Sequence, residues 1–118
     1  MKLIPFYPSD SSRQEFSVNL GEQVCIFNVS WNGRAGAWFM DLKTSEGFIN
    51  NVRLVETTSL LADNNGLGLG GNFRVLKTNK LTRESITYDN LGSDWTLTFA
   101  TNEEWASFDA IINKPKAV

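Results

Sequence analysis

The sequence predicts a mainly β fold (β-rich α+β), a small antiparallel barrel or sandwich of about six or seven strands with one C-terminal helix. Three observations predict it. Apolar and polar residues alternate over several short runs, as in Phe16-Ser17-Val18-Asn19-Leu20 and Trp95-Thr96-Leu97-Thr98-Phe99. Turn residues punctuate these runs at Gly21-Glu22, Asn32-Gly33 and Glu46-Gly47. A late segment opens on the capping box Thr101-Asn102-Glu103-Glu104 and continues with apolar residues at helical spacing. The 118 residues fit one domain over 1–118, large enough to bury a core without disulfides or metal.

The first element, within residues 1–12, reads as an extended N-terminal arm or edge strand, because Pro5 and Pro8 cannot donate to a ladder. Asp10-Ser11-Ser12 is a polar turn. Strands follow over 16–20 and about 23–31, the second with Cys25, Phe27, Val29 and Trp31 on one face and Val24, Ile26, Asn28 and Ser30 on the other. After the turn at Asn32-Gly33-Arg34-Ala35-Gly36, Trp38, Met40 and Leu42 point one way and Phe39 and Asp41 the other, so Trp31 and Trp38 become cross-strand neighbours. A strand over about 48–55 places Val52 and Leu54 in the core. Residues 57–63 read as a single helical turn with a Thr or Ser cap. Strands at 73–77 and 95–99 flank a short strand or loop carrying Ile86, Tyr88 and Leu91. The helix is expected over 102–113, with Trp105, Phe108 and Ile112 or Ile111 on its buried stripe and Pro115 ending it.

Composition narrows the function. Hydrophobic residues at 42% and charged residues at 20% exclude a disordered or collagen-like chain, and no apolar run reaches the ~20 residues a membrane helix needs. The net charge of −2 gives no electrostatic footprint for nucleic acid. The local basic cluster Arg74, Lys77, Lys80 and Arg83 reads as a solvated strand edge and loop. The start lacks the long apolar stretch of a signal peptide, so synthesis in the cytoplasm is expected. With no histidine and one cysteine, most metal and nucleophile–base chemistry is missing. No catalytic residue, cofactor or metal ligand is assigned. Cys25 is expected as a buried, inert thiol. Asp41 reads as a charged gatekeeper or a partner of Arg34 or Arg53. The run from Asn64 to Asn72 has glycine spacing, but a strand follows it where a phosphate loop needs a long helix.

The four tryptophans fall on the apolar phase of their elements and read as core. Val24, Ile26 and Phe39 lie on the opposite face of the central hairpin. An apolar second face needs a partner or a second layer. That makes these three, together with Asp41 on the same side and the turn residue Arg34, the interface candidates. An exposed aromatic platform would instead suit a ligand-binding β-module, with a glycan as ligand.

Several stretches resemble one family. Phe16-Ser17-Val18-Asn19-Leu20-Gly21-Glu22-Gln23, Trp31-Asn32-Gly33-Arg34 with Trp38-Phe39-Met40-Asp41-Leu42, then Gly47, Leu54, Leu60-Leu61 and Tyr88-Asp89-Asn90-Leu91-Gly92 are similar to the small baseplate plug proteins of contractile-tailed bacteriophages, known from cyanophage. Trp31 and Trp38 mark the structural signature. The resemblance implies a structural virion protein and not an enzyme, at the centre of the baseplate near the junction of tail tube and hub. It also implies contacts with other baseplate, hub or tail-tube proteins, and copies arranged as a homo-oligomer or ring about the tail axis. The helix from Asn102 onward has no counterpart in the resemblance.

Overall fold

The computed structural model describes residues 1–4, 6, 12–62, 66–79, 81 and 83–112, the last by its backbone only. The elements run β1 (Lys2–Leu3), β2 (Arg13–Leu20), β3 (Gln23–Asn32), β4 (Ala37–Lys43), β5 (Phe48–Arg53), β6 (Gly71–Lys77), β7 (Trp95–Thr101) and α1 (Asn102–Ile112). They form two antiparallel sheets, β2-β3-β4-β5 and β1-β7-β6. The sheets do not close on each other, so the expected barrel or sandwich is a sandwich. Phe27 from one sheet meets Phe73 from the other edge-on, with ring centroids 5.6 Å apart. Around this contact Val29, Trp38, Met40, Leu42, Val75 and Leu97 are buried. Cys25 is fully buried with them, and desolvation pushes its thiol pKa up, which keeps the thiolate scarce.

The N-terminal residues take part in this packing. Lys2 and Leu3 form the edge strand beside β7, the Ile4 N–H donates to Leu97 O, and Ile4 and Phe6 are buried. Pro5 and residues 7–11, with the expected Asp10-Ser11 turn, lie outside the described residues, as do Lys80, Pro115, Asp63 at the end of the expected helical turn, and Asn64-Asn65 at the start of the glycine run.

Residues 57–62 are not the expected helical turn. Thr57 has φ +57°, which a right-handed helix excludes. The segment instead satisfies its backbone on β6. The Thr57 N–H donates to Val75 O and the Leu60 N–H to Phe73 O, after a parallel bridge between Glu56 and Val75. Buried Asn72 completes the attachment: its Oδ1 accepts from the Leu61 N–H at 3.0 Å and its Nδ2 donates to Leu61 O at 2.8 Å.

Helix α1 begins on the predicted capping box. Thr101 Oγ1 accepts from the Glu104 N–H and Glu104 Oε1 accepts from the Thr101 N–H. The helix lies over β6 and β7, and Trp105 is buried with its Nε1 donating to Asn72 O at 2.8 Å. Phe108 is half-buried, whereas Ile111 is 75% exposed and so leaves the predicted stripe. Arg74, read as part of a solvated cluster, is instead a helix anchor. It donates to both carboxylate oxygens of Asp109 at 2.7 and 3.0 Å, and its guanidinium stacks 4.5 Å from the Trp105 ring centre. Lys77 lies over Trp95, which disperses the cluster further.

Two expected outcomes follow from these anchors. Asn72→Ala orphans the Leu61 backbone groups, so urea denaturation should find a loss of roughly 2–3 kcal/mol with an unchanged m value. The Arg74 hydrogen bonds hold the Asp109 carboxyl below the usual carboxylate range. A depressed carboxylate contributes stability that is present above its unfolded pKa, about 3.9 for Asp, and lost as pH falls through the folded value. The stability gap between wild type and Asp109→Asn should therefore narrow as pH drops from about 6 to about 3. A pH-independent gap would contradict this role.

Candidate functional site

The tryptophan hairpin is built by its turn and locked by a distant loop. Asn32 Oδ1 accepts from the Arg34 and Ala35 N–H groups, and Gly36 closes the turn at φ +63°. Trp31 and Trp38 are direct cross-strand partners, with centroids 5.5 Å apart in an edge contact. Tyr88 stacks on Trp38 and meets Trp31 edge-on, while Trp38 Nε1 donates to Thr87 O. Asn90 organises that loop: its Oδ1 accepts from the Thr87 N–H and its Nδ2 donates to Ser85 O. Trp38 is fully buried, whereas Trp31 is only half-buried at the rim. The two signature residues therefore hold the hairpin to the 84–92 loop.

The interface candidates lie on the outer face of the β2–β5 sheet, in three cross-strand rows. Ser17, Ile26, Lys43 and Phe48 form one row; Glu15, Asn28 and Asp41 form the next; Arg13, Ser30, Phe39 and Arg53 form the third. Val24 sits beyond the first row, opposite Asn19. Val24 is 57% exposed, Ile26 42% and Phe48 69%, and Phe39 is half-buried. Ile26, Phe48, Lys43, Asp41 and Glu15 line one shallow depression, and Phe39, Arg34 and Trp31 line another at the hairpin end. The candidates thus share a face but divide between its two ends.

Phe48, the most exposed of the four, escapes a reading based on strict alternation. Alternation places 48, 50, 52 and 54 on one side, with Val52 and Leu54 inward. The register shows why Phe48 departs: Met40 pairs with Val52 but Leu42 pairs with Ile49, so Asn50 and Asn51 together oppose Asp41 alone. This β-bulge reverses the alternation, turning Ile49 inward and Phe48 outward. Asn51 supplies the kink at φ +59°, a conformation asparagine tolerates better than most residues. Adjacent asparagines in a strand are the signal that could have found it.

Asp41 has a local job at this bulge. Its Oδ1 accepts from the Asn51 N–H at 2.8 Å, and among the described residues it pairs with neither Arg34 nor Arg53. The structure thus replaces the expected arginine partner with a backbone brace. Arg34 sits exposed at the hairpin tip. Among the described residues no group of three or more Cys, Asp or Glu is placed to hold a metal ion. No helix of the described residues is long and apolar enough to cross a membrane.

Because the brace needs an acceptor and not a charge, Asp41→Asn should stay within about 0.5 kcal/mol of wild type, while Asp41→Ala should cost about 1–2 kcal/mol. Thermal denaturation of the two variants checks this; equal losses would refute it.

No curated protein matches the chain. A family model described as the cyanophage baseplate Pam3 plug gp18 matches residues 1–103. That span contains the hairpin, the bulge and the whole outer face, together with the 84–92 loop that locks the hairpin, and on this match the chain belongs to the cyanophage baseplate plug family.

Proposed function

We propose that this chain is a non-enzymatic structural component of a contractile-tail baseplate, plugging or bridging its centre near the junction of tube and hub. The observation that carries the reading is the contrast between the two outer sheet faces. In the β1-β7-β6 sheet α1 covers β6 and β7, whereas the β2–β5 sheet leaves Val24, Ile26 and Phe48 exposed together. Such a face suits docking against other baseplate, hub or tail-tube proteins.

Copies are arranged about the tail axis as a homo-oligomer or ring, without nucleic acid or membrane as a partner, after synthesis in the host cytoplasm. Glycan binding finds no support. Trp38, Trp95 and Trp105 are buried, so three of the four indoles cannot serve a stacking platform.

Phe39→Asp should leave a folded chain with wild-type near-UV circular dichroism and lower its incorporation into tail particles at least about tenfold, as expected for an unpaired charge at a packed contact. Immunoblotting of purified particles reads the result. Normal incorporation of the variant, or absence of the wild-type chain from particles, would overturn the proposal.

A further inference from the structure

The β2–β5 outer face is mixed in charge in an ordered way. Lys43 stands between Ile26 and Phe48 in one row, and Glu15 and Asp41 stand in the next. Among the described residues Lys43 forms no ion pair, and Asp41 uses one carboxylate oxygen on the Asn51 N–H. Resting on the reading of this face as an assembly surface, we propose that a second copy of the chain covers it in the free protein, packed face to face about a two-fold axis.

The axis runs across the strands, midway between the Lys43 row and the Asp41 row. This placement sets Lys43 of each copy over Asp41 of the other, giving two reciprocal ion pairs. It brings Ile26 and Phe48 of both copies together about the axis, at a lateral offset of about one row, ~7 Å. It also lays Val24 of each copy toward Phe39 of the other, because the rows that hold them exchange across the axis. Val24 and Phe39 thereby gain apolar neighbours, while Ile26 and Phe48 of the two copies flank the axis above Asn28 and the Asn50-Asn51 bulge. A heterologous arrangement would need a different surface to complement this one, whereas the rows complement themselves.

The size is sufficient. Four strands about 4.8 Å apart and four residue rows about 7 Å apart span on the order of 500 Å² per copy, or about 1,000 Å² for the pair, where specific interfaces begin. A two-fold pair is closed and cannot propagate around a polar tail axis. The pair is therefore the form of the free chain, and the face passes to a baseplate neighbour on incorporation.

Sedimentation equilibrium of the purified full chain, from about micromolar to near-millimolar concentration, tests the pairing. Wild type should be a reversible dimer. Lys43→Glu, at an exposed position, should weaken it at least about tenfold, because each of the two reciprocal ion pairs becomes a pair of opposed carboxylates. A short bismaleimide should cross-link Ile26→Cys but not the control Ser107→Cys on α1, with buried Cys25 remaining unreactive. A wild-type monomer throughout, an unaffected Lys43→Glu dimer, or cross-linking through Ser107→Cys alone would overturn the pairing. A monomer that still needs Phe39 to enter particles would overturn the pairing alone. Particle entry independent of Phe39 would overturn the docking role instead.

Discussion

The burial of one indole, that of Trp38, is the constraint on which most of this fold depends. Four separate stretches of chain converge on it. Phe6 meets it edge-on from the N-terminal segment at 5.0 Å, Trp31 from the paired strand, and Tyr88 from the loop before β7. Its Nε1 is satisfied by Thr87 O, and its backbone carbonyl accepts from the Leu54 N–H where β5 leaves the sheet. A buried indole needs such an acceptor. The rings supply apolar area, and the two hydrogen bonds fix where the loop and the β5 exit must sit. Loosening this residue would free the hairpin, the β5 exit and the 84–92 loop together.

From that centre the two sheets are finished differently. On β1-β7-β6, the outward residues are claimed by α1: Asn72 offers a carbonyl to Trp105 and Arg74 grips Asp109. On β2–β5, the bulge at Asn50-Asn51 turns Phe48 outward, and Asp41 braces the bulge. An element that projects an apolar ring into water adds nothing to the stability of an isolated chain. A backbone distortion that places the ring there makes sense as a feature for a partner.

How far the fold is readable in the sequence follows from which interactions are periodic. The strands, both tryptophan partners, the capping box and the outward phase of Val24 and Ile26 all follow from alternation or helical spacing, and the fold agrees. What escapes is non-periodic. The segment 57–62 has helical propensity, but its hydrogen bonds go to β6 and to the side chain of Asn72, eleven residues further on in the case of Leu61. Arg74 looks like a surface charge until Asp109 arrives from α1. Phe48 is hidden by a single extra residue. Each miss is a case in which a distant partner or a one-residue insertion outweighs local pattern.

The family match ends at residue 103, within the first turn of α1. The anchors for the helix divide across that point, with Asn72 and Arg74 before it and Trp105 and Asp109 after it. The open face lies wholly before it. Trp105 and Asp109, beyond the match, therefore fasten the cover of one sheet, while the exposed residues of the other sheet's outer face belong to the part shared with the family. The two roles rest on different side chains joined through one core. Substitutions of exposed residues on the outer face alter contacts and leave the core intact; substitutions at the α1 anchors alter stability and leave the outer face in place. Because the core between them is close-packed, neither surface can shift far without the other elements giving way. In the proposed docking role, such a support lowers the ordering cost of binding to that of a few exposed side chains.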